Sequence, residues 1–160
     1  LKAKAVMFGF LNGMGAKRLA LELKGTVSEA KRFLADYRQN LPSLHSWMEG
    51  VWRAAETSGL AHTVAGRTRV FTGQESTRPA ISVIVQGSAA ELMRHALVAV
   101  DAMGLEPILS IHDEILIPGM CDAELLREAM EYGAESAYSE TFADVRFPAS
   151  ATTGETWGDV

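Results

Sequence analysis

A chain of 160 residues, 48% hydrophobic and 22% charged, has the length of one domain or of two tightly joined lobes and the composition of a folded protein, which excludes disorder. At this size folding buries roughly two-thirds of the unfolded surface without disulfides or a structural metal, and the single cysteine, Cys121, excludes a disulfide framework and a cysteine-rich zinc site. The net charge of −5 divides unevenly: residues 1–78 hold 12 Lys+Arg against 6 Asp+Glu, net +6, and residues 79–160 hold 3 against 14, net −11. A basic half suits phosphate-rich partners and an acidic half suits metal cations, although both also suit plain solvation. No apolar run approaches the roughly 18 residues of a membrane span and no basic-then-apolar signal opens the chain, so a cytosol-like compartment is expected. The chain starts at Leu1, directly in an amphipathic segment with no cap residue before it, as expected of a piece cut from something longer.

Residues 3–11 are apolar with lysines, and Gly13 and Gly15 break the run. Residues 16–23 read as a short helix stopped at Gly25. Thr26 and Ser28 are cap candidates for a helix over 29–40, where Ala30, Phe33, Leu34 and Tyr37 recur at helical spacing. Pro42 opens a further helix over 43–58, with Leu44, Trp47, Met48, Val51 and Trp52 on one face and Gly59 at its end. Over 60–71 the period changes to two around Ala65-Gly66, which predicts a β-hairpin. A polar connector, 73–79, leads to a long helix over 80–103 that Gly104 ends. Two short apolar strands, 107–111 and 114–117, flank His112-Asp113 in a tight hairpin. A helix over 122–138, a last strand over 145–147 and a tail with Trp157 complete the expected α+β chain.

Three segments carry chemistry. On a helix Lys4, Phe8 and Asn12 fall about 40° apart, so one face presents an ammonium, a ring and an amide in order. A nucleoside triphosphate laid along that face would meet Lys4 with its phosphates, Phe8 with its sugar or base and Asn12 at the base end, and Gly9 would allow close approach. An amphipathic core helix capped by a lysine has the same pattern. Asp113 and Glu114 are adjacent carboxylates between apolar strands, costly unless a cation neutralises them, and Asp113 suits Mg²⁺ as a hard oxygen ligand; a solvated turn is the alternative. Arg78, Ser82 and Gln86 recur at i, i+4 and i+8 as a polar stripe suited to phosphates and base or sugar edges, or simply to water.

In combination, Lys-x₃-Phe-Gly-x₃-Gly over 4–13, Arg-x₇-Gln-Gly-Ser-Ala-Ala over 78–90 and His112-Asp113-Glu114 in a hairpin resemble the family A DNA polymerases, the group of bacterial DNA polymerase I and related phage enzymes. The likeness covers nearly the whole chain, including Thr63-x₂-Gly66-Arg67-x-Arg69, the run 86–101 and Gly154-x₂-Trp157. It implies a mostly helical fingers portion over 1–75, with the nucleotide-binding helix, and the C-terminal portion of a palm over 76–160, with the His-Asp-Glu hairpin. It implies primer extension with deoxynucleoside triphosphates, in DNA replication or repair, through a two-metal Mg²⁺ site.

By the same resemblance Lys4 contacts the triphosphate and assists the leaving group. Phe8 governs discrimination at the sugar 3′ position, and Asn12 lies where most cellular members carry a tyrosine near the templating base. Asp113 binds metal with Glu114 in support, His112 lies near the primer terminus, and Arg78 and Gln86 touch the primer–template. Ser82 stands where members often carry asparagine. The family's triphosphate-binding arginine would fall before Leu1, and its other catalytic aspartate, on a palm strand upstream of the fingers, is not in this chain. The thumb and any exonuclease domain are missing as well. The partners implied are therefore primer–template DNA, deoxynucleoside triphosphates, and an upstream polymerase segment or second chain carrying the other aspartate. A subunit of a split polymerase and a non-catalytic DNA-binding remnant are the alternative expectations.

Overall fold

A computed structural model describes residues 2–11 and 13–159, leaving aside the side chains of residues 2–5 and of Phe8. The fold is α+β, with six α-helices and two antiparallel hairpins among the described residues. Contacts gather into two compact units, Leu1–Gly87 and Ser88–Val160, and the chain passes from the first to the second inside one helix. These units divide the chain by packing, at a different point from the fingers and palm portions expected at 1–75 and 76–160.

The first unit opens with four helices: α1 (Lys2–Leu11), α2 (Ala16–Leu23), α3 (Val27–Asn40) and α4 (Pro42–Ser58). Val6 and Phe10, one turn apart on α1, join Leu19, Ala20, Ala30, Leu34, Met48 and Ile81 in one buried cluster. The Phe10 ring packs on Tyr37 with centroids 4.1 Å apart. Thr26 caps α3 through a reciprocal box: Glu29 N–H donates to Thr26 Oγ1 (3.2 Å), and Thr26 N–H donates to Glu29 Oε2 (2.7 Å). That backbone donor and the Thr26 hydroxyl hold the Glu29 carboxyl below its ordinary value.

The stop of α2 differs in detail from expectation. Lys24, not Gly25, takes the left-handed conformation (φ 54°), and Gly25 N–H then reaches back to the Ala20 carbonyl at 2.9 Å. Gly25 serves space instead, since a Cβ there would lie 3.1 Å from Glu29 Oε2.

Pro42 starts α4 and Gly59, at φ 70°, ends it. The next residues pair as β1 (Leu60–His62) and β2 (Thr68–Val70), with Ala61 opposite Arg69. Thr63 closes the turn: its amide donates to the Arg67 carbonyl (2.9 Å), its carbonyl accepts from Gly66 (2.9 Å), and its hydroxyl accepts from Arg67 N–H (3.0 Å). This buried threonine seats against helix α5 (Ala80–Ala102) at Gly87, where a Cβ would lie 2.6 Å from Thr63 Cγ2. Arg67 Nη2 donates to the Gly87 carbonyl at 3.3 Å. The Thr63-x₂-Gly66-Arg67 and Gln86-Gly87 motifs thus meet at one close approach.

By length and composition α5 could cross a membrane, at a mean hydropathy of 1.2 over its most apolar window, where no such segment was expected. Gln86, Glu91, Arg94 and His95 interrupt any continuous apolar run, but an averaged window absorbs them. Glu91 itself is buried within the second unit.

That unit contains the rest of α5, the hairpin β3 (Leu109–Ile111) and β4 (Glu114–Leu116), and α6 (Ala123–Ala137). Asp122 Oδ1 caps α6 by accepting from Glu124 N–H at 3.0 Å. Helix α6 meets α5 backbone to backbone at Gly133, where a Cβ would lie 2.6 Å from the His95 carbonyl oxygen. No strand forms over 145–147, contrary to expectation: Val145 N–H is spent on the Phe142 carbonyl (2.9 Å), and the segment is tied to α6 by Arg146–Glu135 (2.8 Å) and Ala149 N–H to Glu131 (3.0 Å). The backbone bond from Ala149 first, then Arg127, holds the Glu131 carboxyl below its ordinary value.

At the end of α6 the buried Tyr138 hydroxyl points to Glu91 Oε2 (2.7 Å) and the Ser88 carbonyl (3.2 Å). Burial, then the Glu91 bond, pushes its pKa up to about 12 from the ordinary 10.0. The folded state therefore favours the protonated phenol. The stability this contributes is full below pH 10 and is lost as pH rises through about 12. A denaturation series over that range, paired with Tyr138 ionisation followed by absorbance, is expected to show this loss in the native sequence and its absence in Tyr138→Phe.

Candidate functional site

Strands β3 and β4 pair with Ile111 opposite Glu114, so His112 and Asp113 form a two-residue turn. His112 sits at φ 54°, a positive value at the first turn position that a non-glycine residue adopts at some cost. The consequence is geometric. The strand residues Ile111 and Ile115 remain half-buried, while His112, Asp113 and Glu114 are exposed at the tip. Neither carboxylate has a hydrogen bond or ion pair to another described residue. Both border a cavity of about 710 Å³ in the second unit, lined also by Leu92 and Met93 of α5, Leu126 of α6 and Trp157.

Three other acidic residues of the second unit are paired within it. Arg127 bonds both Glu124 and Glu131; its bond holds the Glu124 carboxyl below the ordinary value, and for Glu131 the Ala149 amide first, then Arg127, does the same. Glu135 is paired to Arg146. Among the described residues no three His, Cys, Asp or Glu side chains gather as a metal cluster. Asp113 and Glu114 are therefore a pair of exposed oxygen donors, the donor type Mg²⁺ takes as one or two carboxylates beside water and substrate phosphate.

In the first unit, positions 4 and 8 belong to α1. Val6 and Phe10 mark the core side of that helix. The side chains of Lys4 and Phe8, and Asn12 altogether, lie outside the described residues. The space beside Gly9 is taken by the side chain of Met14, whose N–H also donates to the Gly9 carbonyl at 2.8 Å.

Arg78 departs from the expected stripe. It lies in the turn before α5, since a residue preceding a proline is disfavoured in helical conformation, and Pro79 follows it. Its guanidinium stacks on Trp52, 4.1 Å from the ring centroid. Ser82 and Gln86 are on α5, half-buried and exposed respectively. Two polar pairings go beyond the sequence pattern, in which Trp52 is only a core-face residue: Trp52 with Arg78, and Glu91 with Tyr138. A lone glutamate inside the apolar stretch of α5 was the signal available for the second; the first had none, its two residues being 26 apart.

Comparison with known proteins shows the family. Residues 1–159 match DNA polymerase family A. The thermostable DNA polymerase I of Thermus aquaticus is 33% identical over 147 residues, covering 81% of this chain and 18% of the relative. DNA polymerase I of Borreliella burgdorferi is 29% identical over 174 residues, covering 99% of this chain and 19% of the relative. The chain thus spans about a fifth of the length of such relatives. Among solved structures, the POL domain of Pol1 from M. smegmatis, in complex with DNA primer-template and dNTP, is similar with a TM-score of 0.73 and 28% identity, over 82% of this chain and 27% of that one. The match over the whole described length, with the His-Asp-Glu hairpin formed, leads to one conclusion: the chain belongs to DNA polymerase family A.

Proposed function

We propose that this chain forms the nucleotide-handling and metal-carrying part of a template-directed DNA polymerase that extends a primer 3′ end in replication or repair. Family membership over residues 1–159 carries the reading, supported by the exposed, unpaired Asp113 and Glu114 at a hairpin tip. The primer 3′-hydroxyl attacks the α-phosphorus of a deoxynucleoside triphosphate in line, and pyrophosphate leaves.

Each candidate residue has a role in that reaction. Lys4 neutralises the triphosphate and can protonate the leaving group. Phe8 packs on the sugar and Asn12 stands at the base end. Arg78 and Gln86 bind the primer–template, and His112 lies at the primer terminus. Asp113 holds Mg²⁺ and Glu114 supports it; the ion, when bound, supplies Lewis-acid stabilisation of the oxygens of the transfer. Two such ions need more carboxylate than this pair. The further aspartate comes from a polymerase segment outside residues 1–160, joined to it or as a second chain.

Purified alone, the 160-residue chain is then expected to show no measurable Mg²⁺-dependent, template-directed extension. Losing one ligand set costs on the order of 10³-fold or more in rate. Robust extension by the chain alone would remove the need for a second segment.

In the assembled polymerase, Asp113→Asn keeps shape but loses the charge that holds Mg²⁺. Turnover is expected to fall by on the order of 10³-fold while primer–template affinity stays within about 2-fold, binding being mainly phosphate contact. A parallel fall in both would make Asp113 structural. Phe8→Tyr adds a hydroxyl where the sugar lies. Dideoxynucleotide use relative to ordinary nucleotides, read as a ratio of kcat/KM, is expected to rise roughly 5- to 150-fold. An unchanged ratio would turn Phe8 inward and reject this face of α1.

A further inference from the structure

Arg78 is exposed, yet its position is held from two sides within the first unit. Trp52, on α4, grips it twice. The indole Nε1–H donates to the Arg78 carbonyl at 3.2 Å, and the ring lies under the guanidinium at 4.1 Å. Against the aliphatic stem lies Gly13: a Cβ there would stand 3.1 Å from Arg78 Cδ and 3.5 Å from its Cβ. Trp52 itself is half-buried and packs on the core cluster, on a helix anchored by the buried Met48 and Ala55. The platform is therefore firmer than the residue it carries.

A guanidinium held by its face keeps its N–H edges free, and those edges match a phosphate in two parallel bonds. None of the described carboxylates pairs with Arg78, although Trp52 fixes its plane. A solvated arginine would have to surrender rotamer freedom on meeting DNA; this one has surrendered much of it beforehand.

We propose that Trp52 is a positioning residue for DNA binding, which preorganises Arg78 to take a backbone phosphate of the primer–template. This rests on Arg78 being a primer–template contact. Trp52 would touch no DNA and act only through Arg78, so its contribution should vanish when Arg78 is absent. A lysine in place of Arg78 would not reproduce the effect, because a point charge has no plane to hold.

The test measures affinity of the assembled polymerase for a labelled primer–template by fluorescence anisotropy across a salt series, with stoichiometric titration fixing the active fraction. Arg78→Ala is expected to weaken binding uniformly and reduce the salt slope by about 1. Trp52→Leu should weaken binding by about 2- to 5-fold in the native background and by nothing further in Arg78→Ala. If Trp52→Leu does not fold, Trp52→Met, an adaptable apolar filler, takes its place in the same cycle. A Trp52 effect of equal size with and without Arg78, or no effect at all while Arg78→Ala weakens binding, overturns the inference and leaves Arg78 as a DNA contact. If Arg78→Ala changes neither affinity nor salt slope, the DNA contact falls, and the inference falls with it.

Discussion

Two close approaches to helix α5 organise what packs around it. At Gly87 the buried Thr63 comes within a distance no Cβ would tolerate, and at Gly133 the backbone of α6 does the same against His95 and Ala96. Glycine in a helix interior costs about 1 kcal/mol relative to alanine, so a glycine at each point is intelligible only through the contact it permits. The first approach secures the β1–β2 turn through Arg67 and the Gly87 carbonyl. The second brings the end of α6 to where Tyr138 can reach Glu91 and Ser88. That reach gives the buried Glu91 a hydrogen bond, beside the Arg94 guanidinium at 3.7 Å.

Charge follows a similar division of labour. The acidic excess of the second half is partly spent within the fold, where Arg127 holds Glu124 and Glu131 together and Arg146 holds Glu135. Glu131 also takes the Ala149 amide, so an acidic side chain ties the C-terminal segment to α6 without a strand. Asp113, in the turn, and Glu114, at the start of β4, are left outside these pairings and exposed. Acidity as a total is thus a poor guide to cation binding; acidity without an internal partner is a better one.

The basic half is treated differently. Arg67 is turned inward to a helix carbonyl, and Arg69 lies 3.3 Å from Glu75 and over Phe71. Arg78 has an aromatic platform but no carboxylate. Three arginines that look alike in a charge count therefore have three fates, and of these only Arg78 stacks on a ring without a described carboxylate beside it.

Much was legible without coordinates because it depends on signals that each act on their own stretch of chain. Thr26 with Glu29, Pro42 with Gly59, the alternation over 60–71 and the apolar pairs around His112-Asp113 specify caps, helix ends and hairpins locally. Local character also explains misses: Lys24 took the turn expected of Gly25, Arg78 was excluded from its helix by Pro79, and the Val145 amide was drawn to the Phe142 carbonyl. The motifs carrying family membership were likewise local strings, readable in order. What only the tertiary structure decided was which polar groups meet. Trp52 and Arg78 are 26 residues apart, and Glu91 and Tyr138 are 47 apart. Neither pairing follows from any periodicity, because each exists only where packing of apolar faces has already brought two distant segments together.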